Sequence, residues 1–328
     1  MAVEIADGFD TYTAAQIGRY YPGASADAMA TGYGGAGQAL ALQAGVVPIA
    51  LTPRSEYIFS FDWYGSLDQG GSGHLWFKVY NALGSAILTL AGGGVGGTTL
   101  WINGTPYTGT LSGSYQNVTI DLVASASVGV ITVRLDGVVA YAGTGLNTGA
   151  SLITSVSLLG TNYYSGTTHF DNFAVFNTLG SHSNALPTGR ILVPALYPNA
   201  DGTYQGFTPN SGSTHYTRVN QAQADDDTSY VSSAVAQADS YTIQSLPGSG
   251  IDQVHAVQVR AVYRKDDVDP KVLHVTLESG LVISETADIA PLTTYSAAAL
   301  LLADDPNTAS QWTAANVDAV QIGVKEIS

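Results

Sequence analysis

The sequence contains no cysteine and few charged residues. The absence of cysteine from its 328 residues excludes disulfides, thiolate metal sites and cysteine nucleophiles. Only 11% of the residues are charged, and 26 acidic residues against 11 basic ones give a formal net charge of −15. Such an acidic chain has no basic surface for a nucleic acid backbone or for anionic lipid. We therefore expect neither nucleic acid nor a membrane as a partner.

Long apolar runs are also missing. The longest, AAALLLA at 297–303, is too short to span a bilayer. The first ten residues, MAVEIADGFD, carry acids where a secretory signal would carry bases and an apolar core. The sequence predicts a protein that is made in the cytoplasm without a signal peptide.

Glycine and tyrosine are abundant, with 37 and 19 residues respectively, which is typical of short strands joined by tight turns. Apolar residues alternate with polar ones in YIFSFDWY (57–64), VTIDL (118–122) and ITVRL (131–135), as half-buried strands require. Asp136-Gly137 predicts a two-residue hairpin turn. THFDNFAVFN (168–177) carries apolar groups on both faces and predicts a strand in the middle of a sheet. The fold class is all-β.

The length favours two domains. The stretch NTLGSHSNALPTGRILVP (177–194) loses the alternation and gathers Gly, Ser, Asn and Pro, which is typical of a boundary. We place a short linker at 180–187, between a first domain at 1–186 and a second at 187–328. Both are predicted to be β-sandwich, or jelly-roll, domains.

The first domain resembles the concanavalin A-like lectin/glucanase (laminin-G-like) jelly roll. The resemblance is carried by DGFD, TGYGGAGQALAL, YIFSFDWYG, LWFKVYN, YQNVTIDL, ITVRLDGVVAY and THFDNFAVFN. In that family a strand of the type acid-Asn/Asp-apolar-x-apolar closes the sheet, and 171–176 match it. The resemblance implies a fold that serves enzymes, lectins and structural proteins alike.

The second domain resembles a β-sandwich module of tailed-bacteriophage structural proteins. GRILVPALYPNADGTYQGFTPN, VQVRAVYRKDD and DPNTASQWTAANVDAVQIGVKEI carry this resemblance. It implies a non-enzymatic virion component, such as a fibre, spike, collar or capsid decoration, with other virion proteins as partners. It also implies a homo-oligomer, with a trimer as the first expectation, that adheres to host-surface glycans. A carbohydrate-binding module for a surface polysaccharide is the alternative function.

A glycoside hydrolase is a third hypothesis, which needs a pair of carboxyl groups. Glucanases of this fold carry Glu-x-Asp-x(-x)-Glu on one strand, whereas the first domain has only Glu4 and Glu56, neither in that pattern. The nearest pair is Asp62 with Asp68. We predict no catalytic residues.

Aromatic side chains are the candidates for carbohydrate binding, because sugars stack on exposed rings. Trp76 and Tyr80 lie on the less apolar face of LWFKVY, and Tyr107, Tyr163 and Tyr164 fall in expected loops. Packing of Trp76 against a neighbouring strand or subunit is the competing explanation.

No cofactor is predicted from the residues. The six histidines are scattered without zinc-site spacing, and neither DDD at 225–227 nor DDVD at 266–269 has EF-hand spacing. If Asp171 matches the closing motif of the lectin-like family, it could help to hold calcium near a binding rim. Trp312 is predicted to anchor the core of the second sandwich.

Overall fold

The computed structural model describes residues 2–35, 37–65, 74–93, 99–160, 167–179, 189–248, 251 and 253–327. Strands account for 53% of the chain and helices for 6%, which confirms the all-β prediction. The chain divides into two compact units, Met1–Val193 and Pro194–Ser328. No helix in the described part of the chain is both long and apolar enough to cross a membrane.

The described residues of the first unit form fourteen strands. They are β1 (Ala2–Asp7), β2 (Ala28–Thr31), β3 (Gln38–Leu42), β4 (Val46–Arg54), β5 (Glu56–Gly65), β6 (His74–Asn81), β7 (Ala86–Gly93), β8 (Thr99–Ile102), β9 (Thr105–Thr110), β10 (Gln116–Val123), β11 (Gly129–Leu135), β12 (Val138–Leu146), β13 (Ile153–Leu159) and β14 (Thr168–Asn177). Two short 3-10 segments, Ala14–Arg19 and Tyr33–Gly35, lie between the first strands.

These strands form two antiparallel sheets. The eight-stranded sheet has the order β12-β11-β10-β5-β14-β3-β2, with β1 also paired to β14, and the six-stranded sheet has the order β4-β13-β6-β7-β8-β9. Their inner faces share one core, in which Phe61 of β5 stacks on Phe77 of β6 with ring centroids 5.0 Å apart. The first unit is therefore a β-sandwich.

Strand β14 lies inside the eight-stranded sheet, as its sequence predicts. It pairs with β5 on one side and with β1 and β3 on the other. Every residue of the strand except His169 is buried. Strand β14 carries apolar residues on both faces because both of its faces are buried.

The predicted hairpin at Asp136-Gly137 joins β11 to β12. Both residues have positive φ, 49° and 79°, which matches the type I′ turn that suits the twist of paired strands. The turn places β12 at the edge of the eight-stranded sheet.

The second unit has its own core. In its described residues the strands are β15 (Pro198–Gln205), β16 (Thr208–Pro209), β17 (Val231–Ser232), β18 (Gln237–Ile243), β19 (Val257–Tyr263), β20 (Leu273–Ser279), β21 (Val282–Glu285), β22 (Ser296–Leu302), β23 (Asp304–Asp305), β24 (Ser310–Gln311) and β25 (Gln321–Glu326). A 3-10 segment, Tyr216–Arg218, and the helix α1 (Ala314–Asp318) lie between strands. A five-stranded sheet has the order β15-β18-β25-β20-β21, and β19 pairs separately with β22. Trp312 is 2% exposed in this core and donates its indole N–H to the Leu302 carbonyl at 3.0 Å, which confirms its predicted role.

The boundary between the two compact units lies after Val193, a few residues beyond the predicted boundary at 186/187. The predicted linker, 180–187, lies outside the described residues. Residues 189–193 belong to the first unit, because Arg190 bonds to Asp62 and the Val193 N–H donates to Asn172 Oδ1 at 2.7 Å.

Candidate functional site

The outer face of the eight-stranded sheet carries polar and aromatic side chains. Since alternate strand residues point to opposite faces, Trp63 and Phe170 enter the core while their neighbours Tyr64 and His169 point outward. The register places Tyr64 opposite His169, and Asp62 opposite Asp171, on the adjacent strands β5 and β14. Strand order therefore brings together residues that are about a hundred positions apart in sequence.

A tyrosine cluster, defined as Tyr33, Tyr64 and Tyr115, lies on this face beside His169. The Tyr115 ring centroid is 6.3 Å from that of Tyr33 and 5.5 Å from that of Tyr64. The His169 ring centroid is 5.0 Å from that of Tyr64. All four side chains are half-buried, so each ring is partly fixed by its neighbours and partly open to solvent.

Arg190 lies against this cluster. Its guanidinium carbon is 3.7 Å from the centroid of the Tyr33 ring, within the range of a cation–π interaction. Its Nε donates to Asp62 Oδ1 at 2.7 Å, and its Nη2 donates to Asp136 Oδ1 at 3.4 Å. Stacking and charge-assisted hydrogen bonds together hold the guanidinium in one place.

Asp62 lies beneath the cluster and has no exposed surface. Besides Arg190, it accepts hydrogen bonds from Asn172 Nδ2 at 2.9 Å and from Asn117 Nδ2 at 3.3 Å. Burial raises the pKa of this carboxyl group, and its amide donors and Arg190 oppose the rise. Asp62 thus lies on the outer face of the sheet, where its own hydrogen-bond partners cover it.

Asp171 fixes the turn that carries Tyr33. Its Oδ2 accepts the backbone N–H of Tyr33 at 2.7 Å, and its Oδ1 accepts that of Asn172 at 2.7 Å. Burial raises the pKa of the Asp171 carboxyl group to about 7; the two N–H bonds oppose the rise, while Asp10 and Asp62 add to it. Burial also lowers the pKa of His169.

A bulge in β14 links these groups. The β5 register shifts between Asp171 and Ala174, and Asn172 has a φ of 50°, a left-handed conformation that asparagine tolerates better than most residues. Its side chain donates to Asp62 and accepts from the Val193 N–H. One bulged residue therefore joins the sheet to the segment that carries Arg190.

The structure overturns one predicted carbohydrate contact, Trp76. This residue is 1% exposed and its ring stacks on Trp63 with centroids 4.9 Å apart. The β6–β7 register skips Trp76 between Leu75 and Phe77, and both Trp76 and Phe77 are buried. Packing against a neighbouring strand, the competing explanation, is the correct one.

The other predicted aromatic residues do not join the tyrosine cluster within the described structure. Tyr80 is half-buried on β6, in the six-stranded sheet. Tyr107 lies in strand β9 rather than in a loop, with its ring centroid 4.6 Å from that of Tyr141. Tyr163 and Tyr164 lie outside the described residues, as does Asp68.

The described structure does not surround Asp171, the predicted calcium ligand, with a set of further ligands. Both oxygens of this carboxyl group accept backbone N–H groups. Within the described ranges no group of three or more His, Cys, Asp or Glu side chains is arranged to hold a metal. The geometry instead assigns Asp171 to positioning the Tyr33 turn.

Sequence reasoning missed the tyrosine cluster and Arg190. The alternation in YIFSFDWY places Tyr64 on the polar face of its strand, and this pattern could have identified Tyr64 as a candidate. Tyr33, Tyr115 and Arg190 lie outside strands, where periodicity says nothing about direction.

No protein-family model matches the chain, and no curated protein matches it. Among solved structures, it is similar to a sialidase at 14% identity and a TM-score of 0.39, over 54% of this chain and 19% of the sialidase. It is also similar to domain 4 of an extracellular GH43 arabinanase from Geobacillus stearothermophilus, in complex with arabinotriose (18% identity, TM-score 0.32, 46% and 74% of the two chains). A tetrameric galectin from the sponge Cinachyrella sp. is similar at 12% identity and a TM-score of 0.31, over 40% and 99% of the two chains. Because these sequence identities and TM-scores are low, we infer the function from the residues of the site itself.

Proposed function

We propose that the first unit binds a glycan on the outer face of its eight-stranded sheet. The observation that carries this proposal is the half-exposed tyrosine cluster, with Arg190 stacked on one of its rings. Sugar rings present C–H faces that stack on aromatic rings and hydroxyl groups that bond to polar edges. Tyrosine offers both surfaces at a small cost in conformational entropy.

The hydrogen bonds beneath the cluster prepare it for binding. Asp171 holds the Tyr33 backbone, and the Tyr115 hydroxyl donates to the Thr31 carbonyl at 2.8 Å. A surface whose rings are already fixed loses less entropy when a ligand binds.

An uncharged glycan suits this face best. Asp62, Asp136 and Asp171 lie at or under the cluster, whereas Arg190 is the cation in contact with it and already bonds to Asp62 and Asp136. An acidic polysaccharide would meet excess negative charge here and on the whole chain, whose net charge is −15.

The test is binding of the full chain to a panel of neutral and acidic bacterial polysaccharides and β-glucan. We expect Tyr33→Ala and Tyr64→Ala each to weaken binding of a neutral member by the stacking contribution of about 1–3 kcal/mol, or roughly 5- to 150-fold. Tyr80→Ala and Tyr230→Ala, which remove tyrosines from the other sheet and from the second unit, serve as controls and leave affinity unchanged.

Three outcomes would contradict the proposal. They are failure of the wild-type chain to bind any neutral member, unchanged affinity in both cluster variants, and loss of binding in Tyr80→Ala alone. The last outcome would move the glycan site to the six-stranded sheet.

One observation bears on hydrolysis: burial raises the pKa of two neighbouring carboxyl groups, Asp62 and Asp171. A glycosidase, however, pairs one carboxylic acid of raised pKa with a second carboxylate that stays ionised, whereas here burial raises the pKa of both groups. Both groups also accept hydrogen bonds from the protein's own donors and are buried. We expect no new reducing ends when the chain is incubated with polysaccharides that it binds.

The role as a tailed-phage virion component remains a prediction. None of the comparisons points to a phage particle. A glycan-binding face is compatible with adhesion to a host surface, and gold-labelled antibody on particles would locate the chain directly.

A further inference from the structure

A charged cluster lies at one edge of the second unit. We call it the His274 cluster, and it consists of His274 on β20, Glu285 on β21, Asp288 in the segment that follows, and Lys325 on β25. The His274 Nδ1 is 2.8 Å from Glu285 Oε2, and its Nε2 is 2.9 Å from Asp288 Oδ1. Lys325 lies opposite His274 in the register of β20 and β25 and donates to Glu285 Oε1 at 2.8 Å. Both ring nitrogens of His274 therefore face a carboxylate.

The two carboxylates determine which form of the ring fits this position. A carboxylate only accepts hydrogen bonds, whereas a neutral imidazole has one N–H donor and one nitrogen that accepts. The two hydrogen bonds of His274 can therefore exist together only when the ring is a charged imidazolium. Burial of the ring opposes this charge, but the bonds to Glu285 and Asp288 outweigh burial and raise the pKa of His274.

The two carboxylates differ in how firmly they are held. The Glu285 side chain is 26% exposed and also bonds to Lys325, whereas the Asp288 side chain is 80% exposed. Burial raises the pKa of Glu285, but the bonds from Lys325 and His274 outweigh burial and lower it. A neutral His274 ring would therefore keep its one N–H for Glu285 and turn its unprotonated nitrogen toward Asp288.

The His274 cluster attaches an edge strand to its sheet. Strand β21 is the last strand of the five-stranded sheet and pairs with β20. Among the described residues, no side chain of β21 belongs to the apolar core of the second unit. After β21, the backbone N–H groups of Thr286 and Ile289 donate to the carbonyls of Val275 and Leu273. Apart from the cluster, backbone hydrogen bonds to β20 thus hold most of this edge.

We propose that His274 is a pH-sensitive switch that holds this edge of the second unit closed while its ring is charged. The charged ring joins β20 to both Glu285 and Asp288. When the ring is neutral, the lone pair of one nitrogen repels the Asp288 carboxylate, and residues 286–289 separate from β20. This switch belongs to the second unit and is independent of glycan binding in the first.

The sign of the pH dependence follows from the raised pKa. The ordinary pKa of this ring is 6.5, and the pKa in the folded chain is higher. The cluster therefore stabilises the closed edge fully below pH 6.5 and loses this contribution as the pH rises through the raised pKa.

The test is hydrogen exchange of the full chain, followed by NMR between about pH 5.5 and 9 and expressed as protection factors, which remove the intrinsic effect of pH on exchange. We expect the protection of the Thr286 and Ile289 amides to fall as the pH rises above 6.5. The fall is tenfold for each unit by which the pKa of His274 exceeds 6.5.

Three variants separate the switch from other effects of pH. His274→Gln does not titrate and should show no fall in protection. Asp288→Asn should show a smaller fall than the wild-type chain, because an amide can donate to a neutral ring as well as accept from a charged one. Asp269→Asn neutralises an exposed acid of the same unit outside the cluster and should behave as the wild-type chain does. Unchanged circular dichroism shows that each variant is folded.

Two results would overturn the proposal in the exchange experiment. They are protection of Thr286 and Ile289 that does not change with pH in the wild-type chain, and an equal fall in the wild-type chain and in His274→Gln. Imidazole ¹⁵N shifts give a second readout, with the His274 signals identified by their loss in His274→Gln. We expect the ring to titrate with a midpoint above 6.5, and a midpoint at or below 6.5 would also overturn the proposal.

Discussion

At the scale of single residues, Asp171 combines a structural bond with an unfavourable charge. Its carboxyl group holds the Tyr33 turn and is 6% exposed. Burial, together with the nearby Asp10 and Asp62, raises its pKa from the ordinary value of 3.8 to about 7. The folded state therefore binds a proton that the unfolded state releases at lower pH.

This difference gives a pH dependence of defined sign. Between the two pKa values, raising the pH favours the unfolded chain, which is already ionised, so the free energy of unfolding falls by up to about 1.4 kcal/mol per pH unit. Asp171→Asn keeps an acceptor oxygen but cannot titrate. Relative to this variant, we expect the wild-type chain to lose stability as the pH rises from 3.8 to 7.

Urea unfolding at several pH values, followed by tryptophan fluorescence, measures this effect. Asp269→Asn, which neutralises an exposed acid in the second unit, is the matched control. Parallel stability curves for the wild-type chain and Asp171→Asn would show that Asp171 does not titrate as described.

Trp76 shows the limit of residue-level prediction. Strict alternation places it opposite Phe77, yet both side chains are buried because the register shifts between Leu75 and Phe77. A period of two holds only while pairing is regular, and the sequence LWFKVY contains no glycine or other local sign of the irregularity.

At the scale of elements, the bulge in β14 attaches the segment 189–193 to the sheet. Asn172 is the connection, since its side chain donates to Asp62 and accepts from Val193. A bulge changes the direction of a side chain in this manner, and it interrupts the local pairing of the strand.

Removing this side chain should loosen the segment that carries Arg190. Asn172→Gly tolerates the φ of 50° but loses both hydrogen bonds, so we expect faster trypsin cleavage after Arg190. Asn177→Gly on the same strand removes bonds to Glu4 and Leu179 instead and is the control. Equal cleavage rates in the two variants would contradict the role assigned to Asn172.

The sequence predicts the elements better than the site. Alternation identifies β5, β10 and β11, and the two apolar faces of 168–177 correctly predict a central strand. The tyrosine cluster and Arg190, in contrast, come from segments at 33, 64, 115 and 190, which meet only because β5 lies between β10 and β14. That strand order depends on long-range packing, which local periodicity does not encode.

At the scale of the whole molecule, charge constrains the ligand. Two separate cores and a net charge of −15 describe an acidic chain that disfavours anionic ligands. An uncharged glycan avoids this restriction.

The most direct test of the glycan-binding face is hydrogen exchange of the full chain with and without the neutral polysaccharide that binds it most tightly. We predict slower exchange at Tyr33–Gly35 and at 112–115, which flank the tyrosine cluster, and no change in β6 or in the second unit. Protection confined to β6 or to the second unit, with unchanged exchange around Tyr33 and Tyr115, would contradict this account.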